Sequence, residues 1–102
     1  MKILVDVFGH KVELSNERWK HIVLEHPEVE EYRGKIEEVL QSPDVVKESK
    51  RDKSVELYYK YYPEILGGKY LLVVAKIKPP CFVVTMYVTD RIKKGVVVWK
   101  RN

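Results

Sequence analysis

At Ser42-Pro43 the hydrophobic pattern changes its period, and that change limits what the chain can build. Before it, apolar residues recur every three or four positions: Trp19, Ile22, Val23 and His26, then Val29, Tyr32, Ile36, Val39 and Leu40. Glu30, Glu31, Glu37 and Glu38 take the opposite side. Ser15 or Asn16 can cap the first helix, and Pro27 limits it, because the residue before a proline leaves the helical region. A second helix is expected from about Glu28 to Gln41. After Pro43 the period is two. Val45 to Ser49, Val55 to Tyr62, Tyr70 to Ile77, Phe82 to Thr89 and Val96 to Lys100 read as five strands. Turn signals separate them at Arg51-Asp52-Lys53, Gly67-Gly68, Pro79-Pro80 and Lys94-Gly95, and links this short favour antiparallel neighbours. Lys2 to Phe8 and Lys11 to Leu14, around Gly9-His10, add a hairpin at the start. The expected class is α+β: an N-terminal hairpin and two helices packed on one face of a twisted antiparallel β-meander, with the other face free.

A length of 102 residues suits one domain spanning the whole chain. The mixture of 45% hydrophobic and 33% charged residues suits a chain that folds in water. The longest apolar run, Leu71 to Ala75, cannot span a bilayer, and Met1 to Asp6 lacks the apolar stretch of a signal peptide. A cytoplasmic protein without a membrane partner is expected. Cys81 is the only cysteine, which excludes an internal disulfide and any multi-cysteine zinc site; between Pro80 and Phe82 it reads as a small buried apolar side chain.

The formal charge of +4 is unevenly spread. Residues 1–42 hold six Lys or Arg against nine Asp or Glu, whereas residues 43–102 hold thirteen against six. A basic half that coincides with the expected sheet suits nucleic acid; a solubilising lysine-rich surface is the plainer alternative.

Alternation along Phe82 to Thr89 sends Phe82, Val84, Met86 and Val88 to a core and Val83, Thr85, Tyr87 and Thr89 to the opposite face. That hydroxyl row, followed by Arg91-Ile92-Lys93-Lys94-Gly95, suits an anionic ligand such as a phosphodiester. His21 lies off the apolar stripe of its helix, with Glu17, Arg18 and Glu25 as neighbours, so it is either solvated or turned to a site where it can exchange protons near neutral pH. His26 continues the stripe and can cap the helix C-terminus. Spacing of five between His21 and His26 argues against a shared metal. In Val55 to Tyr62, Tyr59 and Tyr61 fall with Val55 and Leu57 and read as core. Tyr58, Lys60 and Tyr62 fall with Glu56, and aromatics interleaved with a cation can stack bases while holding phosphates. Arg51 and Lys53 add cations in a hairpin turn.

The helix Arg18-Trp19-Lys20-His21-Ile22-Val23-Leu24-Glu25-His26-Pro27-Glu28, the second helix ending before Ser42-Pro43-Asp44, the tyrosine-rich strand, the strand Tyr70 to Lys76 and the motif T-x-Y-x-T-x-x-I-K-K-G from Thr85 follow one another in order. Over roughly residues 14–100 the chain resembles the phage-type nuclease-like domains of the barnase, EndoU, colicin and RelE superfamily. The resemblance implies a fold of that RelE/barnase type and a metal-independent endoribonuclease, working without a cofactor, in which the ribose 2′-hydroxyl attacks phosphorus to leave a 2′,3′-cyclic phosphate. It implies His21 as the proton-transfer group, Thr85 as a donor to a phosphate oxygen, and Arg51 or Lys60 against the developing negative charge. His26, Lys53, Tyr58, Tyr87, Thr89 and Arg91 are the expected RNA contacts. A toxin of a toxin–antitoxin pair or a phage-related effector would have an antitoxin or immunity protein as its second partner. The alternatives are a non-catalytic RNA-binding module on the same fold and a protein-interaction domain; the oligomeric state is left open.

Overall fold

Why the strands end where they do is visible in the turns between them. The computed structural model describes residues 1–102 as β1 (Lys2–Val5), β2 (Lys11–Leu14), α1 (Asn16–Glu25), a 3-10 segment (Pro27–Lys35), α2 (Ile36–Gln41), β3 (Val45–Glu48), β4 (Val55–Tyr62), β5 (Lys69–Lys76), β6 (Phe82–Thr89) and β7 (Val97–Lys100). Ser15 caps α1, its hydroxyl accepting from the Arg18 N–H at 3.0 Å. The expected second helix is divided. Pro27 opens it without a side-chain cap, Gly34 lies inside it, and Glu28 and Glu31 repel at a three-residue spacing, so Pro27–Lys35 winds as 3-10 turns and only Ile36–Gln41 is α-helical.

The seven strands form one mostly antiparallel sheet in the order β1-β2-β6-β5-β4-β3-β7. β3 to β6 are the expected meander. β7 departs from it: instead of lying beside β6 it pairs with β3 at the opposite edge, so residues 90–96 must cross the sheet to reach it. The N-terminal hairpin joins the other edge, where β2 meets β6 through one parallel bridge, Glu13 to Phe82.

Both helices pack on one face, as their apolar stripes predict. Trp19 and Ile22 from α1, Val29 from the 3-10 segment, and Ile36, Val39 and Leu40 from α2 close over Tyr58, Leu71, Val73, Ala75, Val83 and Met86 in the main core. The other face is not free. It carries a second cluster of Val45, Tyr59, Leu72 and Val74, on which Ile92 of the crossing segment packs. That strap is pinned by the Lys93 N–H donating to the Tyr59 hydroxyl at 3.2 Å and by Lys47 Nζ donating to the Lys93 carbonyl at 2.8 Å.

Candidate functional site

β6 positions the residues expected to meet a ligand, and it does so through a bulge. Tyr70, Leu72 and Val74 of β5 face Thr89, Tyr87 and Thr85, but the register then slips, so that Ala75 faces Val83 and Lys76 faces Phe82. Val84 is the extra residue. The slip reverses the expected alternation on one side: Val83 is fully buried in the main core, while Val84 packs on the second cluster with Tyr87. Phe82, Thr85, Tyr87 and Thr89 therefore share the face away from the helical core.

Beyond Phe82 no strand covers the outer edge of β6, and α1 runs beside it. The Arg18 guanidinium lies over the Phe82 ring at 5.4 Å, and His26 stacks on Tyr87 at 5.0 Å with 26° between the rings. His21 is exposed and no hydrogen bond or ion pair orients it; with Ser15, Glu17 and Arg18 it lines an open hollow of about 350 Å³. The Thr85 hydroxyl is buried without a partner, and Thr85 is not among the walls of the hollow at His21. The hollow shared by an open imidazole and an open threonine hydroxyl is thus not formed. Thr89 closes on its own loop, its hydroxyl accepting from the Arg91 N–H at 3.3 Å and donating to the Arg91 carbonyl at 3.2 Å, while the Arg91 side chain is exposed.

Four expected site residues belong elsewhere. Tyr58 cannot stack on a base, because its side chain is fully buried on the helix face; β4 presents apolar groups to both sides of the sheet, so alternation alone assigned its faces in reverse. Lys60 lies on the helix face too, and its amine donates at 2.8 Å to the Ser42 carbonyl at the end of α2, a helix-terminal tie that Arg101 Nη2 shares at 2.7 Å. Arg51 and Lys53 stand exposed on the β3–β4 turn, and β5 separates that hairpin from β6. Nothing brings them to His21. Cys81 is buried and its thiol donates to the Ile77 carbonyl at 3.1 Å; burial, then the Asp6 and Glu13 carboxylates, push the thiol up from its ordinary range, which suits the apolar role expected for it.

The structure also assembles a group with no sequence motif. Gly9, at φ +89°, turns the chain so that His10 folds back on Asp6. The buried Asp6 carboxylate (4% exposed) accepts the Phe8 and His10 N–H groups on Oδ1 at 3.0 and 2.7 Å. Its Oδ2 accepts the Tyr58 hydroxyl at 2.5 Å and lies 2.9 Å from His10 Nδ1. Glu56 stands beside this network with Oε2 buried and unpartnered. The one signal in the sequence was an acidic residue four positions before a histidine across a glycine turn, a pattern too common to single out.

Burial, reinforced by the Asp6 carboxylate and opposed by His10, raises the Glu56 carboxyl above its ordinary value. The folded state then holds this proton more tightly than the unfolded chain, a contribution fully present below the unfolded pKa and lost as pH rises through the folded one. Glu56→Gln is therefore expected to stabilise the protein at neutral pH. With the carboxyl only half-buried, the gain is a few tenths to about 1 kcal/mol, shrinking toward zero near about pH 4. Urea unfolding of both proteins at the two pH values measures it.

Fold and site together define an α+β domain with a helix-flanked sheet edge that carries an arginine–phenylalanine pair and a histidine–tyrosine stack. No protein-family model, curated protein or solved structure matches the chain. No helix is long and apolar enough to cross a membrane.

Proposed function

We propose that the protein binds single-stranded RNA along the α1–β6 ledge and cleaves it without a metal, through 2′-hydroxyl attack that leaves a 2′,3′-cyclic phosphate. One observation carries this: two π-faces on one side of β6, each paired with a side chain from the α1 segment, Arg18 of the helix with Phe82 and His26, which caps its end, with Tyr87. Stacking surfaces set along an open edge suit unpaired bases, and the Arg18 and Arg91 cations suit the phosphates between them. The superfamily resemblance supports the chemistry, and with it the setting of a toxin or phage-related effector checked by an antitoxin or immunity protein.

Purified protein incubated with RNA in chelator is expected to release fragments ending in cyclic phosphate. Tyr87→Ala should weaken binding of a short single-stranded RNA by about fivefold or more, and added salt should weaken it further. Loss of binding even at low salt would overturn the proposal. The non-catalytic module is favoured by one observation, the absence of any group orienting His21; salt-sensitive binding with every RNA class left intact, translating ribosomes included, would establish it.

A further inference from the structure

His10 has what His21 lacks. Asp6 takes up donors on both oxygens, so Nδ1 is the nitrogen that carries hydrogen in the neutral ring and Nε2 keeps its lone pair. The side chain is 39% exposed, and its ring opens on a hollow of about 520 Å³ whose walls include Lys11, Glu13, Pro80 and Cys81. Glu13 is also a wall of the next hollow, with Arg18 and Phe82, and that one shares Ser15 and Arg18 with the hollow at His21. Three neighbouring hollows with shared walls therefore lie in sequence from His10, past the Arg18–Phe82 pair, to His21.

We propose that His10, oriented by Asp6, is the proton-transfer residue of the RNA cleavage put forward above, with Lys11 against the scissile phosphate and the His21 end of the groove holding the flanking strand. This rests on the ribonuclease function. His10 Nε2 takes the proton of the 2′-hydroxyl as that oxygen bonds to phosphorus. The bond from phosphorus to the 5′-oxygen breaks, its electron pair leaves with that oxygen, and solvent supplies the proton that makes it a hydroxyl. The imidazolium then returns its proton to solvent, and no metal, oxidant or cofactor enters the balance. Asp6 acts through His10 and is a positioning residue.

The charged and titratable groups around His10 are Asp6 in its own turn, Lys11 and Glu13 on β2, Tyr58 and Glu56 on β4, and Cys81 before β6. The pH dependence is therefore read against a variant that cannot titrate. His10→Asn is that variant, because the asparagine amide can still donate to Asp6 but cannot take up a proton.

Steady-state cleavage of a short RNA in chelator, from about pH 5 to about pH 8, compares wild type, His10→Asn and His21→Asn. His10→Asn is expected to lose about a hundredfold or more in kcat, together with the fall in rate on the acid side. His21→Asn is expected to raise KM and leave kcat within a few fold. Cleavage by His10→Asn within about threefold of wild type, or with the acid limb intact, overturns the role of His10 while leaving the nuclease standing. Intact RNA with wild type overturns both. Should His10→Asn not fold, wild type titrated with an RNA carrying one 2′-deoxy residue at the cleavage position, which cannot be cut, is expected to shift the His10 ring proton resonance. An unmoved resonance overturns the proposal.

Discussion

Asp6→Ala is expected to destabilise the fold by about 3–5 kcal/mol, the cost of breaking a buried charged network from one side. Alanine leaves the Tyr58 hydroxyl and the His10 N–H inside the protein without an acceptor and releases His10 from the turn. The hydroxyl is the costly part, since Tyr58 is fully buried in the main core and desolvation, then the bond to Asp6, hold its proton far more tightly than usual. Tyr58→Phe removes one of four donors to the carboxylate and should cost only about 1–2 kcal/mol. For a domain of this size each kcal/mol lowers Tm by about 4–8 °C, so thermal unfolding of the two variants separates them clearly. An Asp6→Ala protein within about 1 kcal/mol of wild type would show that the network holds nothing together.

Val83→Asp is expected to cost more than about 3 kcal/mol, whereas Val84→Asp should cost about 1–2 kcal/mol. These neighbours look alike in sequence, and strict alternation would bury Val84 and expose Val83. The bulge does the opposite, sealing Val83 in the main core between Ala75 and the N-terminal hairpin and leaving Val84 half-buried on the second cluster. A buried aspartate at 83 has no cation within the core to pair with, while one at 84 can turn toward water. Denaturant midpoints settle the order, and a larger loss for Val84→Asp than for Val83→Asp would mean that β6 is paired in the unbulged register.

Most of the helical layer was legible because its signals are local. Ser15 begins α1, Pro27 ends it, and Trp19, Ile22, Val29, Ile36, Val39 and Leu40 all reach the core their spacing implied. The strands were legible for the same reason, each lying between turn residues close to its observed ends. For the site, alternation correctly put Thr85, Tyr87 and Thr89 on one face, but it could not show that Phe82 joins them or that α1 lays Arg18 and His26 against Phe82 and Tyr87. Those contacts depend on where a helix settles relative to a strand more than fifty residues later.

Composition and periodicity by themselves determined the class, the helix face that is buried, the strand count and the basic bias of the second half, since each follows from neighbours a few residues apart. Only the tertiary structure decided which face of β4 meets the helices, that β6 carries a bulge, that residues 90–96 cross the sheet to set β7 beside β3, and that Asp6 closes on both His10 and Tyr58. The physical reason is common to all four. Both sheet faces carry enough apolar surface to be buried, so the choice between them comes from packing and hydrogen bonding between distant segments, which no local period records.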